Sequence, residues 1–408
     1  MAAYIFVIDT RLHFGGSTVP LVTKLSAELR QRMLEWRHDL HCTPELGFEE
    51  YDTAQFIAEK LQSFGIEVHE KVGGTGVVGV LRRGDGQHSI GLRADMDALP
   101  ITEQSKLAYR SVHEGRMHAC GHDGHMTMLL GAACHLAKKG AFDGTAVFIF
   151  QPDEENGRGA KAMIDDGLFE RFPIDIVYAI HNLPGLESGR IAVKSGPIMA
   201  CEDTFKINIT GKGAHAAMPH RGIDPIVIGA EIVTALQTIV SRTLDPLDNA
   251  VVSITDFCPN GARNTIPDSV TLSGDVRSFS PAVQNRIEKT MQRIVAGICA
   301  AHGARQTVQY HREYTATVNT QREAGIVAEQ AVAAHGGDMV NPDCLPLMAS
   351  DDFGLMLRAR PGAYFFLGNG VTGASGRSLH NPGYDFNDDI LATGAQFWVR
   401  MVQTQLSV

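Results

Sequence analysis

The chain has 408 residues, of which 44% are apolar and 20% charged, with a formal net charge of -10. That is ordinary globular composition, long enough for a full core without staples and, at roughly 100–200 residues per domain, for two domains or one large domain carrying an insertion. The acidic balance, with no basic run and no arginine-aromatic patch, argues against nucleic acid and anionic membrane as partners.

The N-terminus carries a short apolar run ended by Asp9, with no basic residue before it. It makes a poor signal peptide, and residues 1–20 read as an extension of unclear role. No stretch is expected to reach the roughly 18 apolar residues of a membrane span. Helical periodicity starts near Leu21 and runs towards Leu40, and a second helix over 51–64 stops at Gly65. Apolar strands are expected at 77–81, 89–92, 145–150 and 174–180, with a buried helix over 123–138. Helices alternating with short apolar strands predict an α/β layered sheet with helices on both faces.

The pattern changes after Gly196-Pro197. A strand at 204–210, a helix at 224–241 started by Pro225, strands at 250–257 and 270–279, a helix at 281–302 and a strand at 306–317 follow in turn. That order is the split βαβ arrangement of a ferredoxin-like α+β module. It predicts an inserted domain at 197–315, leaving 21–196 and 316–408 as one discontinuous larger domain. The chain ends on an apolar helix over 390–402.

Seven cysteines cannot all pair. Cys42, Cys134, Cys201, Cys258, Cys299 and Cys344 read as thiols of a reducing compartment, which predicts a cytoplasmic protein. Cys120 differs, because it sits in Met117-His-Ala-Cys-Gly-His122-Asp-Gly-His125. A thiolate and an imidazole two residues apart, just before a helix, can face one zinc-like ion; a structural site or a merely histidine-rich helix start is the alternative.

Glu154 and Glu155 follow the strand 145–150, where α/β sheets place ligand sites. Adjacent carboxylates can divide the work between binding metal and acting as a base, although a solvated acidic loop has the same pattern. His181 ends another apolar strand, and His380 lies on a late loop; each alone could be a hydrogen-bonded core or loop histidine. Together Cys120, His122, His181, His380 and one of the two glutamates suffice for two ions if a ligand or a water bridges them. Asp97, just past the strand 89–92, is assigned behind the metal as a hydrogen-bond partner of one of its histidines, with a plain polar turn as the alternative.

The phrases RADMDALPI (93–101), MHACGHDGH (117–125), FQPDEE (150–155), HNLP (181–184), GKGAHAAMPH (211–220), NTIPD (264–268) and LHNPGYDFND (379–388) resemble the hippurate hydrolase and indole-acetyl-amino-acid hydrolase family, within the zinc peptidase group of aminoacylases and glutamate carboxypeptidases. The similarity covers about residues 25 to 400. The resemblance implies Cys120, His122, Glu155, His181 and His380 as ligands and Glu154 as general base. It implies His215 as the group that stabilises the oxyanion, with Asn264 and Arg277 holding the substrate carboxylate. In the family the equivalent of His215 reaches the neighbouring subunit's metals, which implies a homodimer or a higher oligomer built on the inserted domain.

Two departures stand out. Asp153 replaces a residue that is commonly alanine, and is expected to act on the pKa of Glu154 by like-charge repulsion. Asp351 replaces the usual glutamate of Ser-Glu-Asp-Phe. The expected activity is metal-dependent hydrolysis of N-acyl, including N-aroyl, amino acids. Zinc is the expected metal because of the thiolate, with manganese, cobalt or nickel as options. A dipeptidase or carboxypeptidase of the same group, or a metal-binding scaffold without chemistry, are the competing readings.

Overall fold

A computed structural model describes residues 24–407, so the extension at 1–20 and the first turn expected at Leu21 lie outside the described residues. Helix α1 (Ala27–Cys42) starts where the Ser26 side chain accepts the amide of Leu29. Helix α2 (Tyr51–Ser63) buries Thr53, Ile57, Ala58 and Leu61, a 3–4 spacing, and ends before Gly65 in a left-handed conformation. Strands β1 (Glu67–Val72), β2 (Gly76–Arg83) and β3 (Ser89–Asp95) follow, then helix α3 (His122–Lys139), whose surface is buried nearly all round. Next come β4 (Gly144–Gln151), the short helices α4 (Gly159–Asp165) and α5 (Leu168–Arg171), β5 (Ile176–Pro184) and the two-residue β6 (Ile191–Ala192).

The chain then passes through β7 (Gly196–Met199) into β8 (Cys201–Thr210), β9 (Ala214–His215), α6 (Pro225–Thr238), β10 (Ala250–Pro259), β11 (Thr265–Ile266), β12 (Ser269–Ser278), α7 (Pro281–Ala301) and β13 (Arg305–Tyr314). It returns through β14 (Thr317–Asn319) to α8 (Gln321–His335), β15 (Val340–Asn341), α9 (Phe353–Ala359), β16 (Gly362–Gly370) and α10 (Leu391–Gln405).

Eight strands form one mixed sheet in the order β1-β2-β4-β3-β5-β16-β6-β15. Its centre, β4, β3, β5 and β16, is parallel, so the carboxyl ends of these four strands share one edge. One face packs on α1, α2, α3, α8 and α10 through Met33, Leu129, Phe148 and Trp398; the other packs on α4, α5 and α9 through Ile149, Met163, Phe353 and Tyr364. This is the expected α/β layered architecture.

A separate four-stranded antiparallel sheet has the order β10-β12-β8-β13, with α6 and α7 packed on it around Ile207, Ile232, Leu272 and Ile287. The strand expected over 306–317 is two strands. β13 belongs to the smaller sheet, and β14 pairs antiparallel with β7. The outgoing and returning chains therefore run side by side at the passage between the two sheets.

The expectation about apolar runs also needs correction. Pro225–Thr243 is by length and composition one helical stretch able to cross a membrane. Here Ile228, Ile232, Leu236 and Ile239 pack against the small sheet, while Ile226 and Val227 remain exposed.

Candidate metal centre

The edge formed by the carboxyl ends of β3, β4, β5 and β16 collects the chemistry. Asp95 ends β3, Glu154 and Glu155 follow β4, His181 lies in β5 opposite Phe366 of β16, and His380 is on the loop after β16. β5 continues past the expected end at residue 180, so His181 is held by strand pairing and not by a loop. The turn into α3 supplies Cys120 and His122. Gly121 between them has φ 97, and a Cβ there would stand 2.4 Å from Asn182 Oδ1 and 2.7 Å from the Tyr384 hydroxyl. Glycine is required for that turn. His380 itself holds φ 63, a conformation that costs a non-glycine residue free energy and marks functional positions. Its amide donates to the Ala119 carbonyl at 2.9 Å, which docks the late loop beside Cys120. Arg37 of α1, fully buried, bonds Asp385 and the Phe386 carbonyl and so holds the same loop from behind.

The structure brings all five nominated ligands together. Cys120 Sγ is 3.5 Å from His181 Nε2, His122 Nε2 is 3.8 Å from Glu155 Oε1, and His380 Nε2 is 3.4 Å from Glu155 Oε2. His122 Nδ1 meets the Asp97 carbonyl at 2.8 Å and its carboxylate at 3.3 Å; His181 Nδ1 meets the Asn182 carbonyl at 2.7 Å. With their Nδ1 atoms held by oxygens, both rings present Nε2 to the centre, the tautomer that a metal ligand needs.

His122 Nε2 and Glu155 Oε1 are buried there without a hydrogen-bond partner. Buried polar atoms are rarely left unpaired, and two that lie 3.8 Å apart in a group with the Cys120 thiol fit a cation. The electrostatics agree. Burial, with Glu155 and Glu154 nearby, drives the Cys120 thiol well above its usual range, and burial pushes Glu155 up to about 7 although His122 pulls the other way. The cluster is short of positive charge, and soft and borderline donors of this kind suit zinc-like ions.

Glu154 is nearly inaccessible, its Oε2 4.0 Å from His122 Nε2. Burial raises its pKa well above the carboxylate range, Asp351, Glu155 and Asp352 add to this, and Arg93 opposes it. Asp153 is not among the largest of these influences. Its backbone turns through φ 47, and its carboxylate is engaged by Arg158 Nε at 2.8 Å. The largest electrostatic influences on Glu154 therefore come from elsewhere, and the other departure, Asp351, is foremost among the charges acting on the base.

Three further participants had no clear sequence signal. Arg93 is buried beneath Glu154, 2.8 Å from Asp95, 3.2 Å from Asp351 and 3.3 Å from Asp352. His125 lies one turn beyond His122, but both its nitrogens are engaged, by Asp95 at 2.6 Å and by the Asn182 amide at 3.1 Å. Tyr314, at the end of β13, donates to the Glu154 carbonyl at 2.9 Å. The i, i+3 spacing of His122 and His125 was the available clue for the second of these.

A cavity of about 460 Å³ opens from the cluster and is lined by Glu154, His380, Tyr314, Glu202 and Arg277 among others. The substrate residues expected from the smaller sheet divide here. Arg277 lines the cavity, whereas His215 and Asn264 do not. These two stand together and exposed: His215 pairs with Thr265, and the Asn264 carbonyl accepts the amide of Ala216 at 2.9 Å.

A layered α/β sheet whose strand ends hold a buried Cys/His/Glu cluster defines a metal-dependent hydrolase. Residues 91–404 match peptidase family M20/M25/M40, and this chain is a hydrolase belonging to that family. It is 42% identical to the hippurate hydrolase of Campylobacter jejuni over 90% of its own length and 94% of the relative's. It is 36% identical to an N-acetyl-L-cysteine deacetylase of Bacillus subtilis, over 90% and 87% respectively. A crystal structure of a dinuclear metal binding peptidase of the M20 family from Bacillus subtilis superimposes with a TM-score of 0.82 at 31% identity, covering 93% of this chain and 99% of that one.

Proposed function

We propose that the protein hydrolyses the amide bond of N-acyl amino acids to a carboxylic acid and a free amino acid. The observation that carries this reading is the buried, partnerless pair His122 Nε2 and Glu155 Oε1 with the Glu154 carboxylate beside it, where Glu154 and Glu155 line one cavity with Arg277. Cys120, His122, Glu155, His181 and His380 would hold two divalent ions, zinc by the thiolate criterion, and such ions supply an acidified water and a polarised carbonyl when bound. Glu154, a base held in an apolar and acidic surround, takes the proton of the attacking water and returns it to the leaving nitrogen. Arg277 orients the substrate through its carboxylate.

His215 accepts the Ala217 amide at Nδ1, at 3.1 Å, so its Nε2 carries the proton and is a donor for an oxyanion. It would act in a homodimer, where His215 of the partner subunit completes each site and Asn264 travels with it. Residues 197–315 would be the pairing unit, with the exposed Ile226 and Val227 of α6 and the edge strand β10 offered to a second copy. Seven free cysteines favour the cytoplasm. The test is hydrolysis of N-benzoylglycine by enzyme stripped with chelator and reloaded with zinc or manganese. Full turnover with no metal present would sink the reading.

A further inference from the structure

Among the nominated ligands, His380 has the least support from its own packing. Its side chain is 52% exposed, whereas those of Glu155 and His122 are 10% and 0% exposed, and Cys120 and His181 are buried. Its backbone nevertheless holds φ 63, a conformation that persists only where the surroundings enforce it. The half-exposed ring supplies little of that constraint, so it has to come through the backbone. From His380 to Tyr384 the chain is wound on itself: Asn381 Oδ1 accepts the Gly383 amide at 2.9 Å, and the Asn381 carbonyl accepts the Tyr384 amide at 2.9 Å. A shift at Asp385 is thereby passed back to His380.

Arg37 is what fixes Asp385. Its Nη2 donates to Asp385 Oδ1 and, at 2.9 Å, to the Phe386 carbonyl. Its Nε lies 3.0 Å from Asp388 Oδ1 and 3.7 Å from Asp123 Oδ2. The Tyr109 hydroxyl donates to the other Asp385 oxygen at 2.8 Å, and its ring lies 4.6 Å from the guanidinium carbon. Helix α1, which carries Arg37, supplies none of the nominated ligands. A planar fork can serve Asp385, the Phe386 carbonyl and Asp388 together, whereas a lysine ammonium is a single point charge on a flexible stem.

We propose that Arg37 is a positioning residue for His380: it holds the late loop in the one arrangement that brings the imidazole to its ion, so that one of the two ions depends on it. This inference rests on the two-ion reading above. Its test is zinc titration of the parent, R37K, H380A and the double variant, with folding followed by circular dichroism. R37K is expected to keep one ion at parental affinity and to bind the other roughly 10–100-fold more weakly. In the H380A background R37K should add no further loss, because the two changes act through one side chain. Parental affinity for both ions in folded R37K overturns the proposal. So does a further loss in the double variant, which gives Arg37 a general structural role. Should R37K fail to fold, Tyr109→Phe, which removes one bond to Asp385 and no charge, is expected to weaken one ion and spare the other, and unchanged binding of both overturns the proposal. A parent that binds fewer than two ions would instead remove the two-ion reading, and this inference with it.

Discussion

Asp97 joins two nominated ligands: its Oδ2 accepts the backbone amide of Glu155 at 3.0 Å, and its Oδ1 lies 3.3 Å from His122 Nδ1. The carboxylate therefore fixes the position of the Glu155 backbone and places a negative charge beside His122, whose tautomer is held by the Asp97 backbone carbonyl at 2.8 Å. Asp97→Ala is expected to weaken metal binding roughly 10–100-fold, as loss of such supporting partners does elsewhere. Metal titration of the folded variant reads this directly, and parental affinity would refute it.

The two glutamates are expected to separate experimentally. Glu154→Gln keeps the ligand set and should lose about 10²–10⁴ in kcat with metal content intact. Glu155→Gln removes a ligand, so its metal content should fall first. Normal turnover in Glu154→Gln would reverse the assignment.

Gly121→Ala places a methyl group 2.4 Å from Asn182 Oδ1 at a φ of 97. Strain at such a position costs on the order of 1–3 kcal/mol, and relief requires moving the turn that carries Cys120 and His122. Urea unfolding should show the loss of stability and metal titration the loss of affinity. A variant matching the parent in both would mean that the turn is adaptable.

His41, buried between Asp123 and Glu103, supplies a pH signature from a group that does not line the cavity. Burial opposes its charge, but hydrogen bonds to Asp123 and Glu103 overcome this and raise its pKa to about 9 from 6.5. A raised folded-state pKa gives stability that is fully present below 6.5 and is lost as pH rises through 9, at most roughly 3 kcal/mol here. Urea unfolding at pH 6 and pH 10 should reveal the loss in the parent and a flatter profile in His41→Gln. Identical slopes in both proteins would show that His41 is not the group responsible.

His215→Ala and Glu154→Gln should each be nearly inactive alone. If His215 serves the neighbouring copy, co-refolding the two variants restores activity in mixed dimers, because one of the two sites then has an intact base and an intact histidine. Verified heterodimers without activity would confine His215 to its own chain or to no catalytic part.

Much of the centre was legible because its chemistry is packed into short segments. Cys120 and His122 lie two residues apart at a helix start, and Glu154 and Glu155 end an apolar strand, so donor type and location coincide in the sequence. Hydrophobic periodicity likewise separated the α/β pattern from the strand–helix–strand run that follows it. Boundaries were less legible. β5 continues through His181 because β16 pairs with it, and the apolar run of β16, Gly362–Gly370, announces no period of its own. The break at residues 315–316 exists because β13 and β14 find partners in different sheets.

Charge environment was the part that only the tertiary structure decided. Asp153 neighbours Glu154 in the chain, yet Arg158 takes its charge, while Asp351 and Asp352 reach the base from the start of α9. Glu202 meets Arg277 only because β8 and β12 pair in that register. The sequence by itself determined which side chains can bind metal, move a proton or grip a carboxylate, since those capacities belong to the residue types. Which charges face one another depends on strand pairing between distant segments, and Coulomb energies follow those spatial separations and not the order of the chain.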